Sequence, residues 1–198
     1  MARTFWDRFA GLYDLAESAN RRAVRGMAGA AARLVPAGSD MLECAAGTGE
    51  ISLAAAPFAK RILCTDLSIP MLERARRKAA RQGLSNIEFA RRDLLHLPDP
   101  DGAFGAVCAA NVLHLLDAPE RAVAELWRVT APGGALMRGL IALYRLLGFR
   151  QKHLFTRRSY QAFLDGLGLP PSRLTVIPGR LPVGLAVIQK PTIPEGSI

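Results

Sequence analysis

The stretch that decides the fold is MLECAAGTGE, residues 41–50, where a short apolar run containing one acid leads into a glycine-rich turn. Gly47 and Gly49 stand two positions apart in this turn. Glycines directly after a strand let the bare backbone approach a ligand closely. The third glycine of a dinucleotide fingerprint would fall at position 52, where the chain has Ser52. The stretch therefore predicts a strand followed by a nucleotide-binding turn, and it leaves the nucleotide open.

Short apolar runs and amphipathic segments alternate along the chain after this turn. The predicted strands are DMLECA (40–45), RILCTD (61–66), NIEFAR (86–91) and FGAVCAANVL (104–113). The last of these is apolar almost throughout, which is typical of a strand covered on both faces. Helical spacing is found over residues 5–34 in two pieces, 50–58, 68–82 and 118–130. Such alternation predicts an α/β protein with a doubly wound parallel sheet and helices on both faces.

Capping residues predict where three helices begin. Ser68 precedes the helix that stops at Gly83. Asp117, with Glu120 three residues on, predicts the start of the helix over 118–130. Thr156 has the same place before the helical segment 157–169.

The bulk composition limits the class of protein. A length of 198 residues fits one domain with a proper core. The formal net charge of +9 is only weak support for a nucleic-acid partner, because its basic clusters at 74–83 and 149–158 also fit a solvated helix face and a membrane or acidic partner. No apolar run approaches the ~18 residues of a membrane span, and residues 1–14 lack the apolar core of a secretory signal. We therefore expect a cytoplasmic protein.

The three cysteines are Cys44, Cys64 and Cys108, and each lies in or beside a predicted strand. They form no CxxC pair and have no histidine at metal-ligand spacing. We expect small apolar core residues, with neither a disulfide framework nor a metal site.

Acidic residues lie at or near the ends of the first three predicted strands. Glu43, Asp66 and Asp93 would meet at the carboxyl edge of the sheet, where doubly wound sheets bind ligands. Asp66 can accept two hydrogen bonds from a ribose diol, and Asp93 can accept one from an adenine amino group. Leu67, Met71 and Leu94 would enclose the adenine, and a charged Glu43 would favour an ammonium or sulfonium through space. Each aspartate alone could equally be a helix cap or a turn residue, so the prediction rests on their order.

The sequence resembles that of a class I S-adenosylmethionine-dependent methyltransferase, of the small-molecule type that includes ubiquinone and menaquinone biosynthesis methyltransferases. The matching segments are FWDRFAGLYDLAE (5–17), LECAAGTGEIS (42–52), CTDLSIPMLERAR (64–76), RRDLLHLP (91–98), AANVLHLL (109–116) and LWRVTAPGG (126–134). The resemblance implies a Rossmann-like sheet of seven strands, mostly parallel, with RLTVIP (173–178) and VGLAVIQK (183–190) as the last two. The final strand would lie antiparallel between strands 5 and 6.

The resemblance also implies the domain organisation and the site. One domain would comprise a helical cap (1–35), a cofactor-binding core (36–135) and substrate-side helices with the final strands (136–198). S-adenosylmethionine would be the cofactor, and its predicted contacts are Glu43, Ala45, Gly47, Gly49, Asp66, Leu67, Met71, Asp93, Leu94 and Asn111. Ala45 stands where the family commonly has its first glycine.

Two residues are candidates for the chemistry. His114, just after strand 4, would face the methyl group and act as a general base for a hydroxyl acceptor. Tyr13 resembles the family tyrosine that lies over the cofactor. Ordinary core packing is the alternative for both. Methyl transfer itself depends mainly on positioning and desolvation, and it requires no metal.

The segment after Pro132-Gly133-Gly134 departs from the family pattern. ALMRGLIALYRLLGFRQ (135–151) has helix-like periodicity almost from its start, so either strand 5 is only a few residues long or part of it is missing. Within RGLIALYRLLGFRQKHLF (138–155), arginines including Arg138 alternate with apolar residues. This predicts a basic amphipathic helix that forms a lid over a lipophilic acceptor or contacts a membrane surface, with ordinary packing on the sheet as the alternative.

Methyl transfer to a small lipophilic or aromatic molecule is the leading hypothesis. Nucleic acid is not expected as a partner. Methylation of cytosine at carbon 5 needs an exposed cysteine nucleophile, and Cys108 lies inside a predicted strand. Methylation of base amino groups typically shows an Asp/Asn-Pro-Pro-aromatic signature after strand 4, where this chain has AANVLH. The alternatives are an NAD-dependent enzyme, a non-catalytic methyltransferase-like binding module, and an RNA or protein methyltransferase.

Overall fold

The computed structural model describes residues 20–141, 153, 155–178 and 183–192. Its helices are α1 (Arg21–Ala32), α2 (Glu50–Ala55), α3 (Ile69–Arg81), α4 (Pro119–Val129) and α5 (Arg157–Gly166), with a 3₁₀ turn at Leu113–Leu115. Its strands are β1 (Asp40–Cys44), β2 (Arg61–Asp66), β3 (Ile87–Arg91), β4 (Phe104–Ala110), β5 (Thr130–Ile141), β6 (Arg173–Ile177) and β7 (Val183–Gln189). Residues 1–19 of the predicted cap (1–35), with Tyr13, and residues 142–152 of the predicted lid segment (138–155) lie outside the described residues.

All seven strands form one sheet in the order β3-β2-β1-β4-β5-β7-β6. The pairs β2–β3, β1–β2, β1–β4 and β4–β5 are parallel, whereas β7 pairs antiparallel with both β5 and β6. The chain order reverses between β1 and β4, which is where a doubly wound sheet opens a ligand crevice. The predicted fold class, including the antiparallel last strand, is confirmed.

The expectation that strand 5 is only a few residues long was wrong. β5 runs over twelve residues, and its segment 135–141 pairs with all of β7. Leu136 and Met137 belong to the cores on opposite faces of the sheet. A strand buried on both faces carries apolar side chains in consecutive positions, and this hides the period of two. Arg138 therefore lies on a central strand and is buried, not on the polar face of an amphipathic helix.

Each face of the sheet has its own hydrophobic core. Helices α1, α2 and α3 pack on one face, around residues such as Met41, Ile62 and Met137. Helices α4 and α5 cover the other, around Leu42 and Leu136. All three cysteines are free and buried in these cores, as predicted.

The capping predictions are partly confirmed. Ser68 and Thr156 occupy N-cap positions, and the Thr156 hydroxyl accepts a hydrogen bond from the Ser159 N–H. Asp117 was wrong by one residue as a cap, because the N-cap of α4 is Ala118. Pro119 opens that helix with a fixed backbone angle and no N–H to satisfy, so the start needs less capping. Helix α2 ends at Ala55, three residues before the predicted end at position 58.

Gly49 fixes how the turn after β1 packs against α3. Its φ is +79°, and a Cβ built on it would lie 2.9 Å from Ala75 Cβ. We expect Gly49→Ala to lower the free energy of unfolding by about 2–3 kcal/mol, because it combines a left-handed backbone with a steric contact. Urea titration followed by circular dichroism measures this change.

Gly83→Ala is the matched control for the backbone contribution alone. Gly83 has φ +67°, and a Cβ added there would meet no heavy atom of the described residues within 4 Å. This variant should cost only about 1 kcal/mol. Equal losses for the two variants would contradict the contact with Ala75.

Candidate functional site

A cavity opens at the carboxyl edge of the sheet, beyond the ends of the neighbouring strands β1 and β4. Its volume is about 850 Å³, including its opening to solvent, which is within the usual range for a small-molecule site. Its walls come from the turn after β1 and from the ends of β2, β3 and β4. The lining residues are Ala45, Gly47, Asp66, Leu67, Met71, Arg92, Asp93, Leu94, Ala110, Asn111, Val112, Leu115 and Leu116.

Asp66 connects two segments of the cavity wall. Its Oδ2 accepts a hydrogen bond from the Gly47 N–H at 2.8 Å, and its Oδ1 accepts one from the Ser68 N–H at 2.8 Å. The carboxylate therefore holds the glycine turn against the beginning of α3. Because a carboxylate oxygen can accept more than one hydrogen bond, these contacts orient Asp66 without exhausting its acceptor capacity.

Asp93 lies on the same cavity wall, one strand further out. Its Oδ1 accepts a hydrogen bond from the Leu95 N–H at 2.9 Å, which fixes the turn after β3. About half of its side chain is exposed. The structure thus brings Asp66 and Asp93 to one cavity, on neighbouring strands, as the sequence predicted.

Apolar side chains flank the two aspartates. Met71 and Leu94 are buried, whereas Leu67 is 46% exposed although it is apolar. An exposed leucine at a cavity mouth can cover a flat ligand ring. These three residues lie where the sequence predicted an adenine pocket.

Two non-glycine residues of the cavity wall have left-handed backbones. Ala45 has φ +50° and Asn111 has φ +57°. Such conformations cost about 1–2 kcal/mol for an L-residue and concentrate at functional sites. The Asn111 Oδ1 is buried and has no hydrogen-bond partner among the residues that the structure describes. An acceptor without a partner on a residue that lines the cavity is suited to a ligand N–H.

Glu43 lies behind the turn rather than on the cavity wall. Its carboxyl group is buried, and the Ser52 N–H donates to Oε2 at 2.8 Å while the Ser52 hydroxyl donates to the same oxygen. Burial raises the pKa of Glu43 to about 7, although the two Ser52 hydrogen bonds oppose the shift; Glu50 and Asp66 add to it. The expectation of a fully charged Glu43 therefore needs correction, because the carboxyl is about half protonated near pH 7.

Gly49 and His114 are also absent from the cavity wall. A Cβ added to Gly49 would meet Ala75 of α3, so this face of the residue is turned toward α3. His114 lies in the 3₁₀ turn after β4 and is 1% exposed. Burial lowers the pKa of His114 to about 4, which keeps the imidazole neutral at physiological pH. Its neighbour Leu115 lines the cavity instead, so a role as base remains a prediction.

Five residues of the cavity wall were missed by sequence reasoning. These are Arg92, Ala110, Val112, Leu115 and Leu116. The apolar triplet after β4 could have been found from the spacing in NVLHLL, residues 111–116, which places one side of a single helical turn toward the ligand edge. Arg92, which is paired with Asp99, carried no such signal.

Within residues 20–141, 153, 155–178 and 183–192, no group of three or more His, Cys, Asp or Glu side chains could hold a metal ion. Over the same ranges, none of the helices has the length and apolar character needed to cross a bilayer.

Comparison with known proteins bears on the family. Residues 42–137 match the family model described as a methyltransferase domain. The demethylmenaquinone methyltransferase of Thermus thermophilus is 44% identical over 100 residues, which are 49% of this chain and 44% of that protein. The chain spans about half the length of the curated relatives it matches.

Solved structures share the fold. A SAM-dependent methyltransferase from Aquifex aeolicus superposes with a TM-score of 0.64 at 21% identity, covering 78% of this chain and 84% of that one. The N-methyltransferase NodS from Bradyrhizobium japonicum, solved with S-adenosyl-L-homocysteine, gives 0.64 at 24% identity, covering 78% and 79%. The resemblance drawn from the sequence motifs is confirmed over residues 42–137, which match the methyltransferase domain model, and the solved methyltransferases share the fold.

Proposed function

We propose that this protein transfers the methyl group of S-adenosylmethionine to a small lipophilic or aromatic acceptor. The observation that carries the proposal is the placement of Asp66 and Asp93 on one cavity, at the ends of neighbouring strands. The demethylmenaquinone methyltransferase relative supports an aromatic acceptor, because its name specifies a quinone substrate. When bound, S-adenosylmethionine supplies an electrophilic methyl group on a sulfonium.

The residues of the cavity suit the parts of that cofactor. Asp66 would hold the ribose diol, and Asp93 the adenine amino group. Leu67, Met71 and Leu94 would enclose the base. These five side chains line the cavity in the described structure.

The amino acid end would meet the turn and the end of β4. The backbone of Ala45 and Gly47 allows a close approach, and the Asn111 Oδ1 would accept from the ammonium group. Glu43 would act through space from behind the turn, and Gly49 would act by holding the turn in place.

The acceptor would lie against the apolar wall after β4. Val112, Leu115 and Leu116 supply this surface, which excludes water and favours a lipophilic molecule. His114 as general base and Tyr13 over the cofactor remain our candidates for the chemistry. The lid predicted over 138–155 is now limited to residues after β5, and it and its membrane contact remain hypotheses as well.

Two alternatives lose support. The non-catalytic binding module was kept open by the expected truncation of strand 5, and β5 runs over twelve residues. An NAD-dependent enzyme needs space for a pyrophosphate at the start of α2, where Ser52 instead donates two hydrogen bonds to Glu43.

The direct test is calorimetric titration with S-adenosylmethionine and with NAD, followed by a methyl-transfer assay. The assay uses a panel of naphthoquinol, phenol and amine acceptors. Binding of S-adenosylmethionine with turnover of the naphthoquinol supports the proposal. Binding of NAD alone, or cofactor binding with no turnover of any acceptor, contradicts it.

Asp66→Asn should weaken S-adenosylmethionine binding by at least about tenfold, because a neutral amide replaces a charge-assisted acceptor for the ribose. Calorimetry measures the affinity, and a urea titration run beside it reports any loosening of the Gly47 turn. Asp165→Asn, on the exposed surface of α5, is the control and should bind normally. An unchanged affinity in the folded Asp66→Asn protein would remove Asp66 from the site.

The raised pKa of Glu43 predicts that cofactor binding depends on pH. Its pKa of about 7 before the cofactor binds means that the carboxyl is mostly protonated at pH 6 and mostly ionised at pH 8. A cationic ligand favours the ionised form, so the affinity for S-adenosylmethionine should rise about threefold to tenfold between these pH values. In Glu43→Gln this rise should be largely lost, and parallel pH profiles for the two proteins would contradict the electrostatic role.

The same shift has a stability counterpart with a defined sign. The folded-state pKa of Glu43 lies above its ordinary value of 4.5, so the folded protein holds the proton more tightly. The resulting stabilisation is fully present below pH 4.5 and is lost as the pH rises through about 7. The free energy of unfolding of wild type should therefore fall relative to that of Glu43→Gln as the pH is raised from 5 to 8.

A further inference from the structure

Arg138 is a buried cation without an ionic partner in the described part of the chain. Its side chain is fully buried on β5, and Nε and both terminal guanidinium nitrogens have no hydrogen-bond partner among the described residues. The guanidinium carbon instead lies over the ring of Tyr160 of α5, 5.4 Å from its centroid. Most buried polar atoms are satisfied, and a buried charge is normally paired.

The surrounding sequence makes room for this side chain. Arg138 is flanked in the sheet by Ala109 of β4 and Ala186 of β7, which lie on the same face. Two alanines accommodate a long side chain between them and offer the guanidinium no polar side-chain atom. The Tyr160 ring beside the guanidinium belongs to an aromatic cluster, because the ring centroids of Tyr160 and Phe155 lie 5.3 Å apart and those of Phe155 and Phe163 also lie 5.3 Å apart.

The chain offers few acids that could pair with Arg138. The segments 142–152 and 179–182 contain neither Asp nor Glu. Outside the described residues, the acidic side chains are Asp7, Asp14, Glu17 and Glu195. Burial lowers the pKa of Arg138, and Tyr160 only partly opposes this. A guanidinium nevertheless stays charged in proteins, so an anion is the partner that would compensate it most fully.

The position of Arg138 relates it to the proposed acceptor. Its β4 neighbour Ala109 directly precedes Ala110, Asn111 and Val112, which line the cavity. Arg138 therefore lies one strand away from the cavity wall, toward the carboxyl end of β5. This is the side on which we place the acceptor, opposite the adenosine pocket of β2 and β3.

We propose that Arg138 binds an acidic oxygen of the methyl acceptor, a carboxylate or an ionised phenol. The inference rests on the proposed function and narrows its substrate class from lipophilic or aromatic molecules to apolar molecules that carry one such anion. A planar guanidinium in a water-poor site suits this role, because it can donate two parallel hydrogen bonds to an oxyanion. The aromatic cluster of Phe155, Tyr160 and Phe163 would pack beside the apolar part of the acceptor.

The first test is stability without any ligand. Arg138→Met keeps most of the length of the side chain and removes the unpaired charge, so the urea midpoint should equal or exceed that of wild type. Arg128→Met is the contrasting variant, because the Arg128 guanidinium donates to Glu125 and Asp101 and its loss should lower the midpoint. A strong destabilisation of Arg138→Met would mean that the chain itself supplies the partner, and it would overturn the proposal.

The second test is calorimetry on the full chain saturated with S-adenosylhomocysteine at pH 7.5. The probes are 2-naphthoate, 2,4-dinitro-1-naphthol, which is ionised at this pH, and neutral 2-naphthamide. Wild type should bind at least one anionic probe more than about tenfold more tightly than the amide, and the probe that is preferred distinguishes a carboxylate from a phenolate. In Arg138→Met the preference should fall to within about twofold.

Two controls separate the buried site from general charge effects. Arg158→Met removes an equal charge from the exposed surface of α5, and Tyr160→Phe keeps the aromatic ring. Both should retain the anion preference. Equal binding of all probes by wild type, or a preference that persists in Arg138→Met, would overturn the assignment.

The outcome also separates this inference from the proposed function. Tight S-adenosylhomocysteine binding without any anion preference contradicts the role of Arg138 alone. Failure of wild type to bind S-adenosylhomocysteine at all contradicts the methyltransferase proposal, and with it the inference.

Discussion

The Asp66 carboxylate is the interaction on which the proposed site depends. Its two oxygens accept from the backbone N–H groups of Gly47 and Ser68, so one side chain at the end of β2 joins the turn after β1 to the start of α3. Gly49 completes the arrangement from the other side, since any side chain there would meet Ala75. The cavity exists because these segments are held at a fixed separation.

Two buried ionisable groups of the sheet, Glu43 and Arg138, differ in their partners. Glu43 is buried but accepts hydrogen bonds from Ser52, and its raised pKa lets it gain or lose a proton near neutrality. Arg138 is buried without a hydrogen-bond partner in the described part of the chain, and a guanidinium cannot relieve this by losing its proton. One group can adjust its charge to a ligand, whereas the other requires a ligand of opposite charge.

Much of the fold and part of the lining of the candidate cavity could be predicted from the sequence. The alternation of strands and helices determines a doubly wound sheet, and such a sheet brings strand-end acids to one edge, so Asp66 and Asp93 were found without coordinates. The length of β5 was not predicted, because Leu136 and Met137 are both buried and the alternation of apolar and polar residues that identifies a strand is absent. The burial of Arg138 was not predicted either, because an arginine among leucines also fits the polar face of an amphipathic helix.

Contacts between distant segments set a second limit on the sequence-based prediction. The spacing of Glu43 and Ser52 does not reveal that they share two hydrogen bonds, so a charged Glu43 was the natural expectation. The backbone angles of Ala45 and Asn111 are likewise set by the surrounding structure rather than by residue type.

The most direct measurement is a crystal structure of the protein with S-adenosylhomocysteine. We predict that the ribose hydroxyls lie within hydrogen-bonding distance of the Asp66 carboxylate, with the adenine beside Asp93 and between Leu67, Met71 and Leu94. Density for the nucleoside elsewhere on the molecule, or a cavity that stays filled by solvent at saturating ligand, would contradict the account.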